Sequence, residues 1–260
     1  MIPTIGEIVN TKYLFRSLDI AYGCKNGGFG EECRNCCALP VMDKISGQDG
    51  RSGELARSVI RKENGKTCWN DEIKANPGAY KELLNRINGK KRYYIVCYCS
   101  DISLCPEYIL EEFFWISLLC RKHSFTLLTK NPTLLYQKVE NIFKRFALKG
   151  LYSKSFRHIR FAVSIGQNKT LYRLNQIRKF RKLGFKHIDV WFKPLIENIN
   201  KVDLHGISSI RVNLEKDHGW IRGSVKWMES IIKQAKEQKV KAYFDLEEHQ
   251  RERIRNGNNT

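Results

Sequence analysis

Three cysteines, Cys24, Cys33 and Cys36, sit in one glycine-rich stretch with the spacing C-x8-C-x2-C, and Cys37 follows directly. Thiolates at such intervals ligate metals. Three of them can hold three irons of a 4Fe–4S cluster and leave the fourth iron open for a substrate or cofactor. An open position serves catalytic zinc in the same way, whereas a structural zinc needs four ligands. Cys37 adjoins Cys36 and cannot easily share its tetrahedron, so Cys68 or Cys105 would have to complete a zinc site. A third reading leaves the thiols unligated, as small buried hydrophobes. Gly23, Gly27, Gly28 and Gly30 allow the loop to fold tightly around what it holds.

Other candidates fall at the ends of short apolar runs. Ser100 and Asp101 follow one, Thr129 and Lys130 end the next, and Ser164 closes a third. Asp101 can accept a hydrogen bond from an ammonium group, or cap a turn before Pro106. Lys130 can meet a carboxylate or a phosphate. Ser164 and Asn168 read as ligands or as helix caps. Lysines recur at these ends, at Lys25, Lys130, Lys169, Lys193 and Lys216, with Arg222 close by. Singly each is a surface lysine; together they form a ring that attracts anions. Cys97 and Cys99 are two apart on a candidate strand and so share one face. With Cys105 and Cys68 they can hold a second metal or simply pack. The histidines are scattered without a ligand-like pair.

Chemistry at run ends requires those runs to be strands of one sheet. Candidate strands are Leu18–Tyr22, Tyr93–Tyr98, Phe125–Thr129, Ile159–Ser164, Ile188–Phe192, Ser209–Leu214 and Val240–Phe244. They are short and rich in β-branched or aromatic residues, as buried parallel strands are. Helical stripes separate them. One runs Leu135, Val139, Ile142, Phe143, Phe146 and stops at Gly150; another runs Leu171, Leu174, Ile177, Phe180 and stops at Gly184. A third runs Val225, Met228, Ile231, Ile232, Ala235, and Pro106 and Asn131-Pro132 open helices of their own. Such alternation predicts an α/β fold, a parallel-sheet (β/α) repeat closed into a partial or complete TIM-like barrel, or left open. Its active mouth would lie at the C-terminal ends of the strands. A single domain over residues 1–246 is expected, with a helical insertion at about 42–91 and a polar tail at 247–260.

Composition narrows the partners. The chain has 260 residues and 42% hydrophobic content, enough for a core. Its 46 Lys and Arg against 27 Asp and Glu give a net charge of +19, which favours a nucleic acid or an anionic nucleotide. Much of that charge precedes strands, in Lys90-Lys91-Arg92, Arg121-Lys122-His123, Arg157-His158 and Arg181-Lys182. It should therefore sit at the end opposite the cysteine loop. The greasiest segment, Tyr108–Leu119, is interrupted by Glu111 and Glu112, so no membrane span is expected. Nine cysteines and no export pattern fit a reducing cytoplasm.

The segment Gly23-Cys24…Cys33-Arg34-Asn35-Cys36-Cys37-Ala38 resembles the opening motif of an uncharacterised phage-borne family with a three-cysteine pattern G-C…C-x-N-C-Y-A. That family is similar to radical S-adenosylmethionine (SAM) enzymes. Ser100-Asp101, Leu127-Leu128-Thr129-Lys130-Asn131-Pro132, Val163-Ser164 and the stretch Trp227–Phe244 match its later segments, so the resemblance covers most of the chain. It implies a barrel of the radical SAM type, a 4Fe–4S cluster on Cys24, Cys33 and Cys36, and SAM held near Ser100, Asp101, Thr129, Lys130 and Ser164. It further implies an enzyme that needs an external electron donor, with a protein partner encoded nearby. Three departures stand out. The first cysteine interval exceeds the C-x3-C-x2-C of radical SAM enzymes, Asn35 replaces the aromatic before the third cysteine, and Lys193 replaces the family's glutamate in Glu-Pro-Leu. The alternative is a non-catalytic nucleic-acid-binding protein with a structural zinc or iron–sulfur site, serving a phage or mobile-element system.

Overall fold

Runs of β-branched and aromatic residues alternate with amphipathic segments along the chain, and the backbone follows their periods. The computed structural model describes residues 15–25, 33, 36, 38–217, 220–222 and 225–244. In order, these form β1 (Phe15–Leu18), β2 (Ala21–Tyr22), α1 (Ala38–Ser46), α2 (Arg51–Val59), β3 (Ile60–Glu63), β4 (Lys66–Trp69), β5 (Lys74–Ala75) and α3 (Gly78–Leu84). The repeat proper continues with β6 (Tyr93–Val96), α4 (Glu107–Leu119), β7 (Ser124–Thr129), α5 (Pro132–Ala147), β8 (Ile159–Ser164), α6 (Arg173–Arg178) and β9 (Ile188–Leu195). It closes with β10 (Ser209–Asp217), β11 (Trp220–Arg222), α7 (Val225–Glu237) and β12 (Lys241–Phe244). The tail expected at 247–260 lies outside the described residues. No described helix is long and apolar enough to cross a membrane.

Seven strands pair in parallel in the order β1-β6-β7-β8-β9-β10-β12. In this sheet, among the described residues, β11 alone runs antiparallel, against the end of β10. The sheet curls into a half-barrel flanked by helices, so of the shapes the sequence allowed, the partial barrel is the one adopted. Two expectations need correction. The first strand, read as Leu18–Tyr22, is broken at Asp19 and Ile20 into β1 and β2. The insertion, read as helical, also holds the β3–β4 hairpin, and its β5 pairs with β2.

Alternation along each strand sorts the side chains. Tyr94, Val96, Phe125, Leu127, Phe161, Val163, Val190, Phe192, Ile210 and Val212 face the helices in the main core. The other, concave face carries Ile95, Ala162 and Trp191, with Phe15, Tyr98 and Leu128 against them. It also carries Arg160 and Asp189, which form a two-pronged ion pair at 2.7 and 2.8 Å.

The helices start and stop for local reasons. Asn131 caps α5 by accepting from Leu134 N at 3.1 Å, and Pro132 occupies its first turn. Lys144 and Arg145 suit the negative end of that helix, and Gly150 turns away at φ +70. Gly184 ends the next helical stretch at φ +87, where a Cβ would come within 2.2 Å of Ser153 Oγ. Arg145 also bridges α5 to α4 through Glu107 at 2.9 Å and Glu111 at 2.6 Å. Glu111, one of the two acidic residues that interrupt the apolar run, is thereby paired.

Aromatic packing fills the layer between sheet and helices. Phe114 is fully buried and meets Phe113, Phe143, Phe146 and Phe156 at centroid distances of 5.3 to 6.4 Å. Phe114→Ala should lower unfolding stability by about 3–5 kcal/mol, because a cavity adds to the lost burial. Leu148→Ala, at a residue 89% exposed, should stay within about 0.5 kcal/mol. Urea unfolding monitored by far-UV circular dichroism measures both, and similar midpoints for the two variants would contradict this packing.

Candidate functional site

The break after β1 brings the cysteine loop to the C-terminal mouth of the sheet. Asp19 occupies the break. Its carboxylate accepts from Cys99 N at 2.8 Å and from the Ser17 hydroxyl, and Asn76 Nδ2 donates to its carbonyl at 2.8 Å. Burial holds the Asp19 carboxyl above its usual range, against the pull of these hydrogen bonds. The chain then passes Gly23 at φ +103, where a Cβ would lie 2.0 Å from Glu72 O. Only glycine allows that approach of the loop to the insertion.

The insertion roofs the loop. Cys24, Tyr22, Ala38, Met42, Ala56, Val59, Trp69 and Cys99 form a second, smaller core, with Cys36 packed against it. Tyr22 also hydrogen-bonds Ser52 of α2, and burial pushes its phenol up to about 12. Cys24 is thus buried against an apolar wall, with Cys36 half-buried beside it.

The opposite wall is polar and centres on Asp101. Its Oδ1 accepts from Ser103 N at 2.9 Å, Ser103 Oγ at 2.7 Å and Thr129 Oγ1 at 2.7 Å, while Oδ2 accepts from Lys130 N at 2.7 Å. Thr129 Oγ1 in turn accepts from Asn131 N at 2.8 Å. Asp101 therefore clamps the loop after β6 to the end of β7.

These walls meet at the thiols. Burial, together with the charges of Asp101, Cys36 and Cys33, raises the Cys24 thiol to about 12, against a hydrogen bond from the Asp101 backbone N–H. Lys130 Nζ donates to Cys33 Sγ at 3.5 Å. Among the described residues, no three His, Cys, Asp or Glu side chains converge closely enough to hold one metal ion.

The structure thus brings together Cys24, Cys33, Cys36, Asp101, Thr129 and Lys130. The other candidates stand apart from that set. Ser100 Oγ makes a long contact of 3.4 Å to Asp101 O. Ser164 is buried and donates to Lys193 O at 2.7 Å. Asn168 ties its loop to the next, through Glu197 Oε1 at 2.8 Å and Asn198 O at 2.7 Å. Lys25 and Lys169 are exposed and Lys193 half-buried. The side chains of Lys216 and Arg222, with Cys37, Gly27, Gly28 and Gly30, lie outside the described ones.

The second cysteine group does not assemble. Cys97 adopts φ +60 just past β6, so it and Cys99 leave strand alternation and do not share a face. Cys97 and Cys105 lie in the main core, hydrogen-bonded to each other, while Cys99 lies in the smaller one. Cys68 sits on the β3–β4 hairpin.

Sequence reasoning missed Asp19 and the roof that Met42 and Trp69 provide. A signal for the roof's hairpin was present in Asn64-Gly65, which takes φ +49 and +74 between β3 and β4. It also missed a cavity of about 350 Å³ at the far, N-terminal end of the strands, although the basic runs there pointed to that end.

A family model described as a protein of unknown function (DUF5131) matches residues 10–258. The chain belongs to that family. No curated protein and no solved structure matches it.

The raised Cys24 thiol has a measurable consequence. Without metal, its thiolate fraction near neutral pH should be about a thousandfold below that of an ordinary thiol. Iodoacetamide should therefore modify Cys68 well before Cys24, and the Cys24 rate should rise about tenfold per pH unit between pH 7 and 9. Peptide mass spectrometry follows each site, and equal rates at pH 7 would show that Cys24 is not shielded.

Proposed function

We propose that this DUF5131 member is a radical-SAM-like iron–sulfur enzyme, acting on a nucleic acid or a nucleotide. Cys24, Cys33 and Cys36 would hold a 4Fe–4S cluster. The observation that carries the reading is their meeting at the C-terminal mouth of a curled parallel sheet, beside Asp101 and Lys130. Mouths of this kind are where such folds keep their chemistry.

The residues fit the group on chemical grounds. A single zinc draws its sulfurs to about 2.3 Å from one point and so to about 3.8 Å from each other. The described thiols influence one another's charge without converging in that way. Ligands of separate irons need no common point. When bound, a reduced cluster with one open iron would supply the electron for reductive cleavage of the C–S bond of SAM.

The chain's own residues orient and protect. Met42, Trp69 and Tyr22 exclude water behind Cys24. The Lys130 ammonium offsets negative charge at Cys33, and the Asp101 N–H does so at Cys24, which favours reduction. In this reading Lys130 would meet the carboxylate of SAM. Among the described residues, Asp101 Oδ2 accepts one hydrogen bond, from Lys130 N, and keeps capacity for the SAM ammonium. Thr129 and Ser103 hold that carboxylate in place. The electron would come from an external one-electron donor.

A second reading is a non-catalytic nucleic-acid-binding protein in which the loop holds structural zinc or a cluster. The basic cavity at the other end of the sheet favours it.

Anaerobic reconstitution with iron and sulfide separates the two. The enzyme reading expects a brown protein with about four irons per chain, SAM binding, and slow 5′-deoxyadenosine formation under dithionite, read by chromatography. Cys24→Ala, Cys33→Ala and Cys36→Ala should each lose the chromophore, and Cys37→Ala should keep it. Lys130→Ala should keep the cluster and weaken SAM binding about tenfold or more, the loss of one charge-assisted hydrogen bond. Stoichiometric zinc in a colourless protein, or an intact cluster that neither binds nor cleaves SAM, would favour the second reading.

A further inference from the structure

Four consecutive parallel strands begin beside basic residues. Lys90, Lys91 and Arg92 precede β6, Arg121 and Lys122 precede β7, Arg157 precedes β8, and Lys186 precedes β9. Because the strands are parallel, these cations line one rim of the half-barrel, at the end away from the cysteine loop. Four adjacent strands span about 14 Å at the usual sheet spacing. That length matches roughly four phosphates at the axial spacing of a stacked strand.

The rim is built rather than frayed. His123 is buried and takes Arg92 N on its Nδ1 at 3.2 Å, while its Nε2 donates to Arg86 O at 3.0 Å. The turn carrying Lys90 to Arg92 is thereby fixed to the start of β7.

The rim opens into the cavity of about 350 Å³ on the concave face. Six cations line it, Lys91, Arg121, Lys122, Arg157, Arg160 and Arg211, against one carboxylate, Asp189. Arg160 already neutralises Asp189 through both its oxygens, and Ser209 Oγ adds a third bond at 2.7 Å. The remaining field is strongly positive. Aromatic surface lies inside it. Arg211 is 5% exposed, its guanidinium 4.4 Å from the Phe15 ring centre and 5.2 Å from that of Trp191. Tyr93 is half-buried at the mouth, with Lys91 Nζ 5.4 Å from its ring centre. The apolar group of Ile95, Ala162 and Trp191 lies deeper on the same face, between this cavity and the cysteine end.

We propose that this end of the sheet is a single-stranded nucleic-acid site, separate from the cysteine loop. The exposed rim cations Lys91, Arg121, Lys122 and Arg157 track the phosphates, and one splayed base enters the cavity and stacks on Tyr93. A line of cations combined with an aromatic platform is what sequence-tolerant strand binding requires. A cavity of this volume admits one base and excludes a duplex. Cations strung over four strands suit a chain of phosphates better than one phosphate group. The proposal does not depend on what the cysteine loop holds, and its readout is binding alone.

Fluorescence anisotropy with a labelled single-stranded decamer tests it, starting at about 50 mM salt and titrating upward. The protein should bind the decamer, and the Lys91→Ala, Arg121→Ala, Lys122→Ala, Arg157→Ala variant should bind at least about tenfold more weakly. Its slope of log affinity against log salt should fall by about 3, nearly one increment for each phosphate no longer neutralised. Removing four exposed lysines elsewhere, Lys81, Lys201, Lys233 and Lys236, should change affinity less than about threefold, the size expected of diffuse charge. Tyr93→Ser should weaken binding about fivefold or more while Tyr93→Phe retains it. Three results would overturn the proposal: no binding at low salt, equal losses in the two four-residue variants, or a nucleoside 5′-monophosphate bound as tightly as the decamer.

Discussion

The Asp101 carboxylate is the joint on which the cysteine end of the molecule turns. It draws four hydrogen bonds from Ser103, Thr129 and the Lys130 backbone, while its own N–H reaches Cys24. A carboxylate with that many donors fixes two neighbouring strand ends relative to each other. Without it, the Thr129 hydroxyl, which is 1% exposed, would lose its acceptor, at about 1–3 kcal/mol for a buried group. Lys130 would also lose the anchor that aims its ammonium at Cys33. The geometry of the thiols thus depends on a residue that is itself no thiol.

A parallel sheet separates chemistry by its position relative to each strand. Residues C-terminal to a strand arrive at one mouth, and residues N-terminal to it arrive at the other. Here the cysteine loop, Asp101 and Lys130 come after strands, and the basic runs come before them. The insertion adds a second core over the first mouth alone, so Cys24 is shielded while Lys91, Arg121, Lys122 and Arg157 stay open to solvent. The concave face joins the ends through an apolar layer that insulates one from the other.

Much of this arrangement was legible in the residues. Ile159–Ser164 is a strand with the very bounds its composition suggested, and Gly150 and Gly184 stop their helices as glycine does. The grouping of Cys24 with Cys33 and Cys36 followed from spacing. Other features depend on tertiary contacts that no local pattern encodes. Leu18–Tyr22 reads as one strand because Asp19 is a single polar residue in an apolar run, and its burial against Cys99 shows only in the fold. Cys97 and Cys99 read as neighbours on one face until a positive φ turns the first away. The hairpin was hidden by its polar strands, Ile60–Glu63 and Lys66–Trp69, although Asn64-Gly65 marked its turn. Asp101 and Thr129 were found as residues, but their bond to each other joins positions 28 apart.

The Arg160–Asp189 pair has a further consequence for how the protein can be handled. Asp189 is 3% exposed, and the pair is closed by Ser209 from a third strand. Ions in solution screen charges over about 10 Å at 0.1 M and about 3 Å at 1 M, but act far less on charges shielded from them. The rim cations stand in solvent, whereas Asp189 is buried and the Arg160 side chain is 28% exposed. Concentrated salt should therefore strip polyanions from this chain of net charge +19 while the ionic brace across β8, β9 and β10 holds. The same ion that empties the surface leaves the frame beneath it intact, which makes a high-salt wash a gentle step for this fold.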